Sequence, residues 1–312
     1  GSADMAKFEE IERNSGVDSL KPGTEWIMVP KGKSNIVCLT GGAGYGVKAV
    51  EGTNKVSIAE IHKDKQDDEV GRINAPFIGK DDKLLRITGL HQGPGKIAAT
   101  KGSDKAELKF SVHGSRTFNI SFFFLSDLDG QNRSTPRSAF SQKDAPGWVE
   151  KLNQVYGPQA NIWFELGKNM PLAISGLDKV VTSDHAKMLA EHKDTQVASG
   201  KTKDSKAPIR VFLAGPALQS NDKSEPFGFY HIDSKVILLK DQQEPKPGSE
   251  GPTSLMLKTL AHEIGHFLNY LQGHGQGHDF FHDTGYAGDI LNTVDGGNIK
   301  ISRQRVLDWN PT

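Results

Sequence analysis

The sequence predicts an α+β protein: an N-terminal β-sandwich, then a second domain organised around one long helix. Three observations predict it. Residues 20–114 hold short β-rich runs separated by glycine-rich turns, with no helix-period segment of useful length. Residues 116–239 interleave such runs with one helical segment. Residues 253–271 then carry apolar side chains at 257, 260, 264, 267, 268 and 271, the stripe of an amphipathic helix. The domains that follow are a lead of residues 1–19, a β-sandwich of residues 20–114 and a second domain of residues 115–312.

Taken in order, Gly1 to Asp4 read as a cloning remnant before Met5, and no charged-then-apolar segment marks a secretion signal. The sandwich strands are the runs at 26–29, 36–40, 84–88, 96–100 and 106–112, each bounded by turn residues. The sequences at 86–90, 95–102 and 106–112 resemble the last strands of bacterial Ig-like domains, which implies a module that docks or stabilises an attached enzyme. His62, His91 and His113 read as surface residues of it. The single cysteine, Cys38, forms no intramolecular disulfide and lies in an apolar strand run. It reads either as a core residue or as an inhibitory thiolate capping a metal, although no zymogen-switch motif surrounds it.

Beyond residue 115, the run 116–125 alternates and then becomes continuously aromatic, as a buried strand does, and residues 146–156 carry apolar side chains at helical spacing. Gly157-Pro158 is the expected stop for that helix. Residues 162–166, 209–213 and 235–239 are short strand runs. Asp127 to Asn132 places acidic and amide residues at alternate positions, but it lacks the closing bidentate glutamate of a calcium loop and reads as a plain turn. Residues 187–206 alternate lysine with acids and small polar residues, the pattern of a solvated, mobile insertion.

The chemistry lies in His262-Glu263-Ile264-Gly265-His266. Residues four apart on a helix share a face, so His262 and His266 are placed to hold one metal ion, zinc by their chemistry. Glu263 stands one position round, placed to take a proton from a metal-bound water. Thr253 is the expected N-cap and Gly273 the expected C-cap. A catalytic zinc typically takes three protein ligands and a water, and the glycine-rich stretch that follows offers His274, His278 and His282. A helix running to Leu271 ends about 8 Å beyond His266 at about 1.5 Å per residue. That strands His274 and favours His278, then His282, whereas a left-handed Asn269 that stopped the helix early would bring His274 back.

Residues 260–309 resemble the metzincin clan of zinc peptidases, of matrixin or bacterial type: two histidines and a glutamate on a helix, a glycine turn, a third histidine and a methionine-containing turn. The clan's glycine falls on Asn269 and its third histidine on Gln272, so an insertion precedes the third ligand. The turn equivalent is Asp289-Ile290-Leu291-Asn292-Thr293, with Leu291 in place of methionine at similar volume. The spacing from His282 to Leu291 also suits compact members. The resemblance implies a mixed sheet, a closing helix near residues 302–310, Zn2+ as cofactor and a protein or peptide as substrate. It also implies that substrate adds to an antiparallel edge strand, for which residues 227–239 are the candidate. Tyr286 is the tyrosine nearest in sequence for assisting the oxyanion.

The chain has 312 residues, a formal net charge of zero and no run of eighteen apolar residues, so neither a membrane span nor a nucleic-acid partner is expected. A peptidase of this kind acts in a secreted or delivered form outside the producing cytoplasm, as a bacterial protease or toxin, with a cognate inhibitor or delivery partner engaging the N-terminal domain. Two other readings stand beside it: a silent binding module with zinc as a structural staple, and a zinc hydrolase of cell-wall amides. Zinc bound by four protein ligands and indifferent to a hydroxamate marks the first. Release from purified peptidoglycan without cleavage of denatured protein marks the second.

Overall fold

The computed structural model describes residues 5–11, 17–18, 25–62, 78–197, 207–220, 223, 225–241, 255–273 and 300–312. Among them strands and helices are mixed and the strands form several sheets. The chain divides into two compact units. Unit 1 is Gly1–Arg116, Gln154–Ile162 and Lys300–Thr312; unit 2 is Thr117–Asn153 and Trp163–Ile299. Unit 1 therefore gathers three separate stretches of sequence, including the closing helix that the clan resemblance associates with the catalytic part.

Unit 1 is built on two sheets. One orders β1 (Lys7–Glu9), β4 (Ser34–Thr40), β7 (Lys83–Gly89) and β6 (Val56–Ile61), all antiparallel. The other orders β2 (Val17–Asp18), β3 (Trp26–Pro30), β9 (Asp104–His113), β8 (Gly93–Lys101) and β5 (Gly46–Glu51), with β3 parallel to β9. Alternate residues of both sheets, among them Val37, Leu39, Leu85 and Ile87 from the first and Ile27, Val29, Leu108 and Phe110 from the second, enter one core. The five strand runs expected here fall on β3, β4, β7, β8 and β9. β5 and β6 carry no clean apolar alternation, and β5 has no buried residue.

His113, expected at the surface, is fully buried. His62 and His91 are exposed. His113 ends β9 beside Trp26, its ring edge-on at 6.4 Å, and its Nδ1 pairs with the Asn310 carbonyl. Helix α4 (Arg303–Trp309), capped by the Ser302 hydroxyl, brings that carbonyl in. A polar ring can be buried there because a distant segment supplies its partner, which strand periodicity does not encode.

Helix α1 (Ala145–Ala160) also departs from expectation, since Pro158 lies within its last turn. The stop is Asn161, at φ 52 in the left-handed region. The helix outlasts Gly157-Pro158 because its terminal carbonyls find donors within unit 1: Asn35 Nδ2 bonds to Pro158 at 2.9 Å and Asn310 Nδ2 to Ala160 at 2.8 Å.

Unit 2 centres on a mixed sheet: β11 (Ser134–Pro136), β10 (Arg116–Leu128), β14 (Ile209–Leu213), β17 (Val236–Leu239) and β16 (Gly228–His231), with β12 (Ile162–Ser175) also on β10. β10, β14 and β17 run parallel, and β16 closes the order antiparallel to β17. The aromatic run of β10 explains itself here. Phe122 and Phe124 meet Trp148 of α1, while Phe123 stacks on Phe212 at 5.1 Å on the opposite face. That second face packs on helix α2 (Ala186–Glu191), whose Leu189 is fully buried. Residues 187–191 and the short 3-10 turn Lys193–Thr195 are therefore ordered, with Leu189 and Thr195 buried, rather than a solvated insertion; residues 198–206 lie outside the described residues. A further short parallel pair joins β13 (Val181–Thr182) and β15 (Leu218–Gln219). The turn after β10 is self-contained, because Asp129 accepts from the Gln131 and Arg133 amides and from Arg133 Nε.

Burial, partly offset by the Asn310 carbonyl, lowers the pKa of His113 below the ordinary value of 6.5. In the unfolded chain the ring takes up a proton below about 6.5, and in the folded protein only at lower pH. Its contribution to stability is thus complete above that value and declines as pH falls through it. The gap in urea midpoint between wild type and His113→Gln should narrow from pH 7.5 to pH 5; a gap that widens contradicts this.

Candidate metal centre

Helix α3 (Leu255–Leu271) follows β17 in the described chain and packs on β16 and β17. Its sequence is rich in leucine, a good helix former, and tolerates Gly265 at a cost of about 1 kcal/mol. Burial holds it in place. Leu257, Leu260, Ala261, Ile264 and Leu268 are at most 1% exposed, and Phe267 meets Phe118 of β10 edge-on at 5.8 Å. The helix ends as expected at Gly273, at φ +76, whose amide bonds to the Tyr270 carbonyl at 3.0 Å. Asn269 stays helical, so the early stop that would have brought His274 into range does not occur.

On this helix His262, Glu263 and His266 come together, with their ligand atoms all within 4.8 Å of one another. The two rings stand at 83° with centroids 4.7 Å apart, and their Nε2 atoms are separated by 3.1 Å. Two imidazoles on one zinc at about 2.0–2.1 Å each, near the tetrahedral angle, place their nitrogens about 3.3 Å apart. The observed separation is within a few tenths of an ångström of that, and the three side chains form a group that could hold a metal ion. Both histidines are half-buried while Glu263 is 5% exposed. Burial pushes the Glu263 carboxyl up to about 8, opposed by a hydrogen bond from the Tyr230 backbone amide.

Tyr230 and Gly228, which sequence reasoning missed, position this group. Gly228 lies where a Cβ would meet Leu239 Cδ2 at 2.8 Å, Thr259 Cγ2 at 2.9 Å and the Leu238 carbonyl oxygen at 3.0 Å. Its missing side chain lets β16 approach α3 closely. Two residues on, Tyr230 points the same way, its amide reaching Glu263 and its ring packing on Phe267 at 6.0 Å and Tyr270 at 6.1 Å. Residues 227–239, expected as one strand, are a hairpin of β16 and β17. The turn between them puts Lys235 at φ 56, a conformation that tightly closes a hairpin but that its sequence does not advertise.

Cys38 belongs to unit 1, is 6% exposed and has its thiol pushed up to about 11, chiefly by burial. That is the behaviour of a strand-core residue and the reverse of a metal-capping thiolate. The third-ligand candidates His274, His278 and His282 lie outside the described residues, as do Thr253, Tyr286 and the turn at Leu291.

No protein-family model and no curated protein matches the chain. Among solved structures, domains 4 and 5 of the S-layer protein SbsC align at 15% identity over 31% of this chain and 42% of that one, with a TM-score of 0.21. Domains 5–6 of the same protein align at 13% identity over 31% and 43%, again at 0.21. Domains 4–9 align at 15% identity over 32% and 14%, at 0.22. The chain thus spans less than half the length of the solved chains it matches, and likeness this weak defines neither fold nor activity.

Gly228→Ala should force β16 away from α3 and cost about 1–3 kcal/mol of stability, as overpacking does. An unchanged melting temperature would show that the strand does not rely on this approach.

Proposed function

We propose that the protein is a zinc-dependent endopeptidase of metzincin type, with His262, His266 and one downstream histidine as metal ligands and Glu263 as general base. His278 is the first choice for the third ligand and His282 and His274 are its rivals. The observation that carries the reading is the His262, Glu263, His266 group: two imidazole nitrogens at a zinc-compatible separation with a buried carboxyl beside them.

Zinc bound there supplies Lewis acidity for the scissile carbonyl and a water acidic enough to lose a proton near neutral pH. Beside the positive charge of a bound zinc the Glu263 carboxyl, otherwise pushed up to about 8, is lowered to its ionised form, and Glu263 then takes that proton on a carboxylate oxygen and passes it to the leaving amine nitrogen. The Tyr230 amide holds the carboxylate in place while it does so. β16, the antiparallel strand that ends the sheet order among the described residues, offers its outer edge to an extended peptide by main-chain pairing.

The two-sheet architecture of unit 1 is compatible with an Ig-like module; in this reading that module would dock a delivery partner or cognate inhibitor, in a protease or toxin that works outside the producing cytoplasm. No helix among the described residues is long and apolar enough to cross a membrane.

Glu263→Ala should keep stoichiometric zinc and lose about 10²–10⁴-fold in turnover, whereas His262→Ala should lose both metal and activity. Elemental analysis and cleavage of a denatured protein substrate read the two separately. Wild-type turnover in Glu263→Ala would refute the mechanism.

A further inference from the structure

We propose that unit 2 contains a second ligand site, for a small organic carboxylate with an aromatic body, in the cavity that Arg210 and Lys235 share with Phe267 and Tyr270. The cavity measures 220 Å³. A cavity of about 150 Å³ suffices for benzene, so one ring with a carboxylate fits and a nucleotide does not. None of His262, Glu263 or His266 lines it, and the inference does not rest on the peptidase reading.

The charge of the lining selects the sign of the ligand. Among the described residues no aspartate or glutamate lines it, while two cations do. Arg210, on the first turn of β14, spends its hydrogen bonds on neutral carbonyls: Nη1 on Ala190 at 2.8 Å and Thr195 at 3.5 Å, Nη2 on Ser234 at 3.5 Å. Among the described residues no carboxylate pairs with it. Burial lowers its pKa. A guanidinium left in that state has part of its planar fork open to a carboxylate.

Lys235, also in the lining, supplies the second cation, with Nζ 5.7 Å from the centre of the Tyr270 ring. It does so from the left-handed region, at φ 56, in a turn closed by its amide on the His231 carbonyl at 2.7 Å. Glycine or asparagine would hold that turn with less strain. A lysine there places a charge over an aromatic wall at a conformational cost. Phe267, Tyr270 and Leu271 make the remaining wall apolar, which suits a ring and disfavours a strongly hydrated dianion.

Titration of the intact chain with phenylacetate, followed by calorimetry, tests this. One saturable site is expected, and phenylacetamide, the neutral isostere, should bind at least about tenfold more weakly. Lys235→Gly should weaken phenylacetate by about tenfold or more while the melting temperature holds or rises, because the glycine relaxes the turn. Arg210→Met should abolish binding; if that variant fails to fold, Lys235→Gly still decides. His262→Ala should bind phenylacetate as wild type does. Absence of saturable binding overturns the proposal, as does equal affinity for phenylacetamide or tighter binding of inorganic phosphate. So does an affinity that Lys235→Gly leaves unchanged, or binding that disappears in His262→Ala, the latter assigning the carboxylate to the metal centre.

Discussion

A carboxyl group buried in the middle of a helix needs a donor from outside that helix, and the packing of α3 on its sheet is arranged around the donor that Glu263 finds. The Tyr230 amide belongs to the last strand of the sheet, and it reaches the carboxyl only because β16 lies close enough for Gly228 to touch Thr259. An unsatisfied buried carboxyl would cost several kcal/mol or force the group to stay protonated. The approach of one strand therefore fixes where Glu263 stands relative to His262 and His266, and the same main chain that holds Glu263 forms the rim of the sheet.

The rest of unit 2 keeps that strand from moving. β10, β14 and β17 are covered on both faces, so they read as nearly continuous apolar runs and behave as a rigid platform. Phe118 locks Phe267 from one side and α2 seals the opposite face through Leu189. β16 has a neighbour on one edge only among the described residues, with Tyr230 set between the platform and the last turns of α3.

What the sequence made legible is what depends on local periodicity. The α3 stripe, the Gly273 cap and the run 209–213 are visible because burial follows a single period over the whole element. The meeting of His262 and His266 was readable for the same reason: four residues on a helix are about one turn in any context. What escaped depends on partners far along the chain. Pro158 sits inside a helix because Asn35 and Asn310 satisfy the carbonyls around it. His113 is buried because Asn310 answers its ring, and Leu189 is core because a strand 23 residues further on lies beneath it in the shared cluster. The main-chain donor to Glu263 had no side-chain signature to read.

The position of Lys300–Thr312 within unit 1 sets an order of events during synthesis. The Arg116 guanidinium bonds to the Trp309 carbonyl, Asn310 Nδ2 bonds to Gly114, and Tyr156 stacks on Trp309 at 6.3 Å. Every residue of unit 2 leaves the ribosome before these partners exist, at about 5–20 residues per second. For roughly ten seconds or more, the first two sheets wait with the His113 ring and the Ala160 carbonyl unanswered by Asn310. A nascent chain in that interval exposes Trp26 and the last turn of α1 together. The segment 300–312 thus works as a late-arriving clasp, and the half-made protein is the state most open to chaperones and proteases.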